Sequence, residues 1–377
     1  MGLETSRVRT KTPQDLPPEG VAPFPFPLGA DPSLPAPDTL PLGRPPFLRP
    51  LLLWGALPLG ALLLSFAVGR YPISPGQLLH ALETALTASD ASAPSALDTV
   101  LFRIRLPRIL AALLVGASLG ASGAALQGLF RNPLASPGLL GAVAGSGFGA
   151  ALGICLSLPF PAIQALAFLW GLGAVLLACA LGARMRHNPL LGLVLAGVMT
   201  GSLFTAATSL VKYVADPSDK LPAITFWLMG SLSSVAPRDL LFLLPPVALG
   251  IAPLVLVRWR LNVLSLGEEE ARALGLNVRG FRWLVILCTT LATAAAISVC
   301  GMIGWVGLVV PHLCRMAVGS DFKVLLPASV LGGGVFLLLV DDLARILAAV
   351  EIPLGILTAL VGVPFFLWLA TRKGAAF

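Results

Sequence analysis

The distribution of charge along this chain leaves it few possible folds, because long stretches carry no Asp, Glu, Lys or Arg at all. Residues 50–69, 109–130 and 352–371 are each uncharged. Each is long enough to cross a bilayer, whose core of about 30 Å needs roughly 20 apolar helical residues. Residues 132–183 run uncharged for the length of two crossings, divided near Pro159 and Pro161, and 283–314 is long enough to turn back on itself. Shorter apolar runs at 188–211, 239–257 and 324–340 bring the count to ten crossings. In hydrocarbon the backbone must satisfy its own hydrogen bonds, so these runs predict an all-α, polytopic membrane protein. A hydrophobic fraction of 56% against 11% charged suits that class and not a soluble domain.

An even number of crossings puts both termini on one side. Placing them in the cytoplasm puts 17 of the 25 basic residues in cytoplasmic segments, the bias expected of inserted helices. The net charge of +7 therefore reads as an orientation signal. No basic patch interleaved with aromatics suggests a nucleic-acid partner. Residues 1–49 hold 12 of the 33 prolines and read as a disordered, Pro-rich cytoplasmic extension, leaving 50–374 as the membrane part. The five cysteines show no CxxC spacing, and the three histidines are far apart in sequence. Neither set calls for a metal or other cofactor.

The chain has no GxxxxGK[ST] motif, and none of its five lysines follows a glycine, so a P-loop is excluded. Ion-coupled carriers place ionisable groups within their crossings. Here Asp341, Asp342, Arg345 and Glu351 gather at one outward end instead, which points to energy supplied by another subunit. Between the sixth and seventh crossings, LSLGEEEARALGLNVRGF predicts a short capped helix. Ser265 and Glu268 have capping-box spacing, Glu268, Glu269 and Glu270 fill the first turn, Arg272 comes late, and Gly275 ends it. A helix lying among lipid headgroups is the plain reading. Three successive acids suit an anionic leaflet poorly, whereas exposed Leu266 and Leu274 suit a protein groove. On the outward side, Arg103, Arg105 and Arg108 precede the second crossing, which Pro107 is placed to open, and Arg345 ends the ninth. They either snorkel to lipid phosphates or form sockets for a partner's carboxylates.

Four segments, in order and spacing, resemble one known family: RLPRILAALLVGASLGASGAALQGLFRNPLASPGLLG, LGEEEARALGLNV, GMIGWVGLVVPHLCRMAVGSDFKVLLPAS and DDLARILAAVEIPLGILTALVGVPFFLWLATRKG. Together they are similar to the FecCD-type permeases of binding-protein-dependent ABC importers, across residues 50–374. The resemblance implies a subunit of a bacterial inner-membrane importer for ferric siderophore, haem or cobalamin. It implies a homodimer of ten-crossing subunits, each contacting an ATP-binding subunit, and a docked extracytoplasmic binding protein. It implies that Arg105, Arg108 and Arg345 receive that protein's acids. It also implies that Glu268, Glu269, Glu270, Ala271, Arg272, Leu274 and Gly275 form the ATPase coupling helix, and that about 191–234 line the path. The Pro-rich extension departs from the family pattern. So does Asp342, which follows Asp341 and lies three residues before Arg345, where the two can pair.

Two other classes compete. Gly116 to Gly120 satisfies GxSxG, and His312 is an intramembrane base, so a rhomboid-like serine protease would use Ser118 or Ser122 with His312. Serine between glycines in a crossing is also a helix-packing element. An ion-coupled secondary carrier would need no ATPase.

Overall fold

The computed structural model of the chain describes residues 48–69, 73–74, 76–78, 80, 83, 96–185 and 189–371. The expected extension over 1–49 lies outside the described residues except for its last two, and the short amphipathic helix expected around 78–86 lies largely outside them. Among the described residues every regular element is helical. Helix α1 spans Leu48–Ala67. A continuous helical run, α2, covers Ala96–Phe130. Then come α3 (Ala142–Cys155), α4 (Phe160–Gly182), α5 (Pro189–Val214), α6 (Lys220–Met229) and α7 (Pro237–Leu256). Two short helices, α8 (Trp259–Leu266) and α9 (Glu268–Ala273), precede α10 (Val278–Cys300), α11 (Val306–Val318), α12 (Phe322–Ile346) and α13 (Leu354–Thr371).

Six helices are long and apolar enough to cross a membrane, namely α2, α4, α5, α7, α10 and α12, and the shorter apolar helices include Ala142–Cys155 and Val306–Val318. Both long uncharged runs divide as expected, the first near the residues expected. Residues 132–183 break between α3 and α4 at Pro159, and 283–314 turn at Gly301 to Trp305. The second crossing differs in its start. The helix is already running at Ala96 and passes through a π-wound stretch, Thr99–Arg105, before regular α winding begins at Leu106 with Pro107 in its first turn. That winding ends where Arg131 turns left-handed (φ 49°) and the Asn132 N–H donates back to Gln127 O at 3.1 Å.

Helices α2 and α10 form the centre. In each, 78% of the apolar window is buried, against 28% for α7. The sequence VGASLGASGAALQG explains how α2 can be so enclosed. A Cβ at Gly116 would overlap Gly333 O on α12, one at Gly120 would overlap Ser329 O, and one at Gly123 would overlap Gly307 O on α11. These contacts are backbone against backbone, the small-residue packing that lets membrane helices approach closely. Near the other end of α10, the Ser231 N–H donates to Cys300 O at 2.8 Å and the Leu354 N–H to Gly230 O at 2.9 Å. The turn after α6, the end of α10 and the start of α13 are thereby tied together.

Filling this seam should be costly. Gly116→Val or Gly120→Val is expected to destabilise the chain by ~1–3 kcal/mol or more, as overpacking does. Gly173→Ala on α4, where an added Cβ meets nothing within 4 Å, should change stability by less than about 1 kcal/mol. Thermal unfolding of the detergent-solubilised chain checks both. Equal melting of the Gly116 variant and the wild type would refute the seam.

Candidate functional site

At one end of the bundle, where α1 and α12 finish and the α winding of α2 begins, Arg105, Arg108 and Arg345 come together. Arg108, in the first turn of the α winding of α2, points its guanidinium at α12. Its Nε donates to Asp341 Oδ2 at 2.9 Å and Oδ1 at 3.1 Å, and its Nη2 reaches Oδ1 at 2.9 Å. The other edge of the fork holds Glu351, with Nη1 to Oε1 at 2.9 Å and Nη2 to Oε2 at 3.0 Å. One planar group thus carries two carboxylates, a geometry suited to Arg and not Lys.

Arg345 sits beside this pair. Its Nη2 donates to Ser65 Oγ at 2.7 Å and to Asp342, its Nη1 donates to Val68 O at 3.2 Å, and its Nε lies 3.3 Å from Asp341 Oδ2. Ser65 in turn donates to Asp342 Oδ1 at 2.6 Å. Arg105 donates to Phe66 O at the end of α1. All three arginines are buried, at 5–6% exposure. The pairing of Asp342 with Arg345 was legible from their spacing. The roles of Asp341 and Glu351 as partners of Arg108 were not, although acids in so apolar a chain signalled that they needed partners.

At the opposite ends of the helices lies the acidic segment. Here the structure corrects one detail of the sequence reading: Ser265 does not cap the helix. The chain is already helical through Leu266, and the Ser265 hydroxyl donates back to Asn262 O at 2.6 Å. Gly267, at φ 141°, breaks the winding and stands as the N-cap of α9. The far end follows expectation. Gly275 is left-handed at φ 81°, its N–H donates to Arg272 O, and the Leu276 N–H donates to Ala271 O, both at 2.9 Å. That pair of bonds is a Schellman close.

Glu268 is held by Arg272 at 3.0 Å and by Arg282 on α10, the latter a contact that sequence spacing gave no sign of. Ala271 is buried beneath the turn. Glu269 and Glu270 are exposed, and Leu266 and Leu274 flank the segment at 63% and 66% exposure. Glu268, Glu269 and Glu270 also line an open cavity of about 870 Å³ with Phe130, Asn132 and Leu191.

The serines of the rival protease reading have other partners. Ser118 donates to Leu114 O at 2.7 Å within its own helix, and Ser122 to Thr289 O at 3.3 Å. His312 packs against Phe365 and Phe366, and neither hydroxyl bonds to it.

The buried ion pairs predict a graded loss. Removing one member of a buried pair costs ~3–5 kcal/mol, so Arg108→Ala should lower unfolding stability by about that much, and Arg108→Lys by less. Glu351→Gln should cost under ~1–2 kcal/mol, because the Glu351 side chain is 26% exposed and partly screened. Unfolding measured on the three variants tests the order, and an Arg108→Ala chain as stable as wild type would contradict it.

Comparison with known proteins gives concordant matches. The sequence profile described as the FecCD transport family matches residues 57–372. The molybdate import system permease protein MolB of Haemophilus influenzae is 43% identical over 306 residues, 80% of this chain and 89% of that one. A probable iron chelatin transport system permease protein of Helicobacter pylori is 43% identical over 280 residues, 74% of this chain and 84% of its own length. A solved inward-facing conformation of a putative metal-chelate type ABC transporter superposes with a TM-score of 0.78 at 39% identity, covering 87% of this chain and all of that one.

Proposed function

The chain belongs to the FecCD transport family, and from that premise we propose that it forms, with a second copy of itself, the path by which a metal-bearing solute enters the cell. It is a multi-pass inner-membrane protein and a permease of an ABC importer. The proposed cargo is a ferric siderophore first, with haem and cobalamin as the alternatives. The molybdate and iron-chelatin permeases are equally identical to this chain, so overall identity does not choose among metal-bearing solutes.

One observation carries the proposed mechanism. The regular α winding of α2 starts at the arginine cluster and ends at Phe130, which lines the cavity shared with Glu268, Glu269 and Glu270. In this reading a loaded binding protein docks over Arg105, Arg108 and Arg345. Two ATP-binding subunits seat the segment from Glu268 to Gly275, with Leu266 and Leu274 as apolar anchors of the kind that fill a protein groove. Closure of the ATPases then moves this segment and opens the route inward.

The route proposed here runs along the exposed face of α5. A cavity of about 710 Å³ is lined there by Val198, Ser202, Thr205, Ser209 and Met302. The hydroxyls on α5 turn back onto their own helix, with Ser202 bonded to Val198 O, Thr205 to Gly201 O and Ser209 to Thr205 O at 2.8–3.0 Å. Such a wall offers cargo few strong polar partners, which suits passage rather than retention.

Two measurements test the proposal. In vesicles containing the chain, its ATPase and its binding protein, Leu274→Asp combined with Glu269→Lys and Glu270→Lys should abolish ATP-driven uptake while the permease still melts as wild type. Uptake that persists in this variant and collapses with the ion gradient would indicate a secondary carrier. The cargo held by the co-purified binding protein should contain iron by elemental analysis. A Soret band would identify haem, and molybdenum or cobalt would reject the siderophore assignment.

A further inference from the structure

We propose that a cavity between the ends of α4, α5 and α10, on the side of the bundle that carries α9, binds the headgroup phosphate of an anionic phospholipid. The cavity measures about 330 Å³, within the ~300–1,000 Å³ range of ligand sites. Three arginines line it, Arg272, Arg279 and Arg282, against a single acid, Glu268. The site therefore carries two positive charges in excess.

Two of the three guanidiniums have donors to offer. Among the described residues no ion pair involves Arg279, which is exposed at the first turn of α10. Arg282 gives Nη2 to Glu268, yet its Nε is buried without a hydrogen-bond partner. A buried, unsatisfied, charged donor costs more than an ordinary one. A phosphate in the cavity would pair with Arg279 and with the guanidinium donors that Arg272 and Arg282 do not give to Glu268.

The rest of the cavity favours a lipid over a small anion. Its wall is apolar, formed by Cys179, Leu193 and Ile286. Trp283 stands at its rim, 45% exposed, and Leu287, one turn further into the span, is 54% exposed. Leu176 and Leu177 are exposed on α4 as well. An aromatic ring beside arginines at the end of a spanning helix marks the headgroup level of a bilayer. The apolar side chains below it continue along the direction an acyl chain takes. Basic pockets between spanning helices bind anionic headgroups by this combination of charge and depth.

The site also meets the acidic segment, because Arg282 and Arg272 both hold Glu268. A bound phosphate would share Arg282 with Glu268 and so fix the start of α9. The inference stands on this cavity and does not depend on the cargo or the docking partner.

Native mass spectrometry on the delipidated full-length chain tests it, with dioleoylphosphatidylglycerol, dioleoylphosphatidylcholine and inorganic phosphate as separate probes. Phosphatidylglycerol should bind more tightly than phosphatidylcholine. Arg279→Gln should weaken phosphatidylglycerol roughly fivefold, the worth of one cation near a charged surface, and leave phosphatidylcholine unchanged. Among the described residues Arg279 has no ion-pair partner to lose, so this variant should keep the fold even if Arg282→Gln does not. Equal binding of the two lipids, or phosphatidylglycerol binding unaltered by Arg279→Gln, would overturn the site. Complete displacement by millimolar inorganic phosphate would show a small-anion site and reject the lipid.

Discussion

Helix α2 touches α12 and α11 through its backbone, and the geometry of the arginine cluster depends on that closeness. Inside a bilayer there is little hydrophobic gain from bringing two helices together, so close van der Waals packing must do it. Gly116, Gly120 and Gly123 present no side chain where Gly333, Ser329 and Gly307 approach. With the axes this near, the single fork of Arg108 spans Asp341 on α12 and Glu351 beyond its end at 2.9–3.0 Å. Moving the helices apart by even an ångström would take these contacts out of hydrogen-bond range. The small-residue seam and the ion-pair cluster are thus one feature seen at two heights.

That cluster holds three arginines and three acids, and its net charge is zero. Buried charges are tolerable when each has a partner and ruinous when one is removed. The balance constrains the proposed docking step. A carboxylate from a binding protein cannot simply be added to buried guanidiniums already engaged within the chain; it has to take the place of an internal acid. Asp341 is fully buried, whereas Glu351 lies on the segment after α12 and is 26% exposed. In the proposed cycle Glu351 is the acid that yields, so docking exchanges one carboxylate for another and leaves the cluster neutral.

The sequence disclosed whatever depends on local spacing. Uncharged length marked the helices, Pro159 marked one reversal, the length of 283–314 marked another without placing it, and Gly275 closed α9 because a left-handed residue is needed there. Asp342 and Arg345, three apart on one helix, paired as their spacing implied. The contacts between residues distant in the chain were hidden. Glu351 meets Arg108 across 243 positions, and Arg282 meets Glu268 across a turn whose direction the sequence does not encode. Ser265 misled for a related reason. Its spacing to Glu268 fits a cap, but spacing alone cannot tell that a preceding helix has already claimed it and left the break to Gly267.

Seen in charge, the two ends of the bundle obey different rules. In the proposed orientation the arginines at the α12 end run against the tendency of inserted chains to keep basic residues inside. They are accommodated because Asp341, Asp342 and Glu351 accompany them, so the buried cluster itself carries no excess charge. At the other end Arg272, Arg279 and Arg282 outnumber Glu268, the one acid lining their cavity, and among the described residues no acid pairs with Arg279. The difference follows from what each face meets. An excess of cations costs little beside anionic headgroups and gains from them, while a face that exchanges carboxylates with a protein works best when its own charges already cancel.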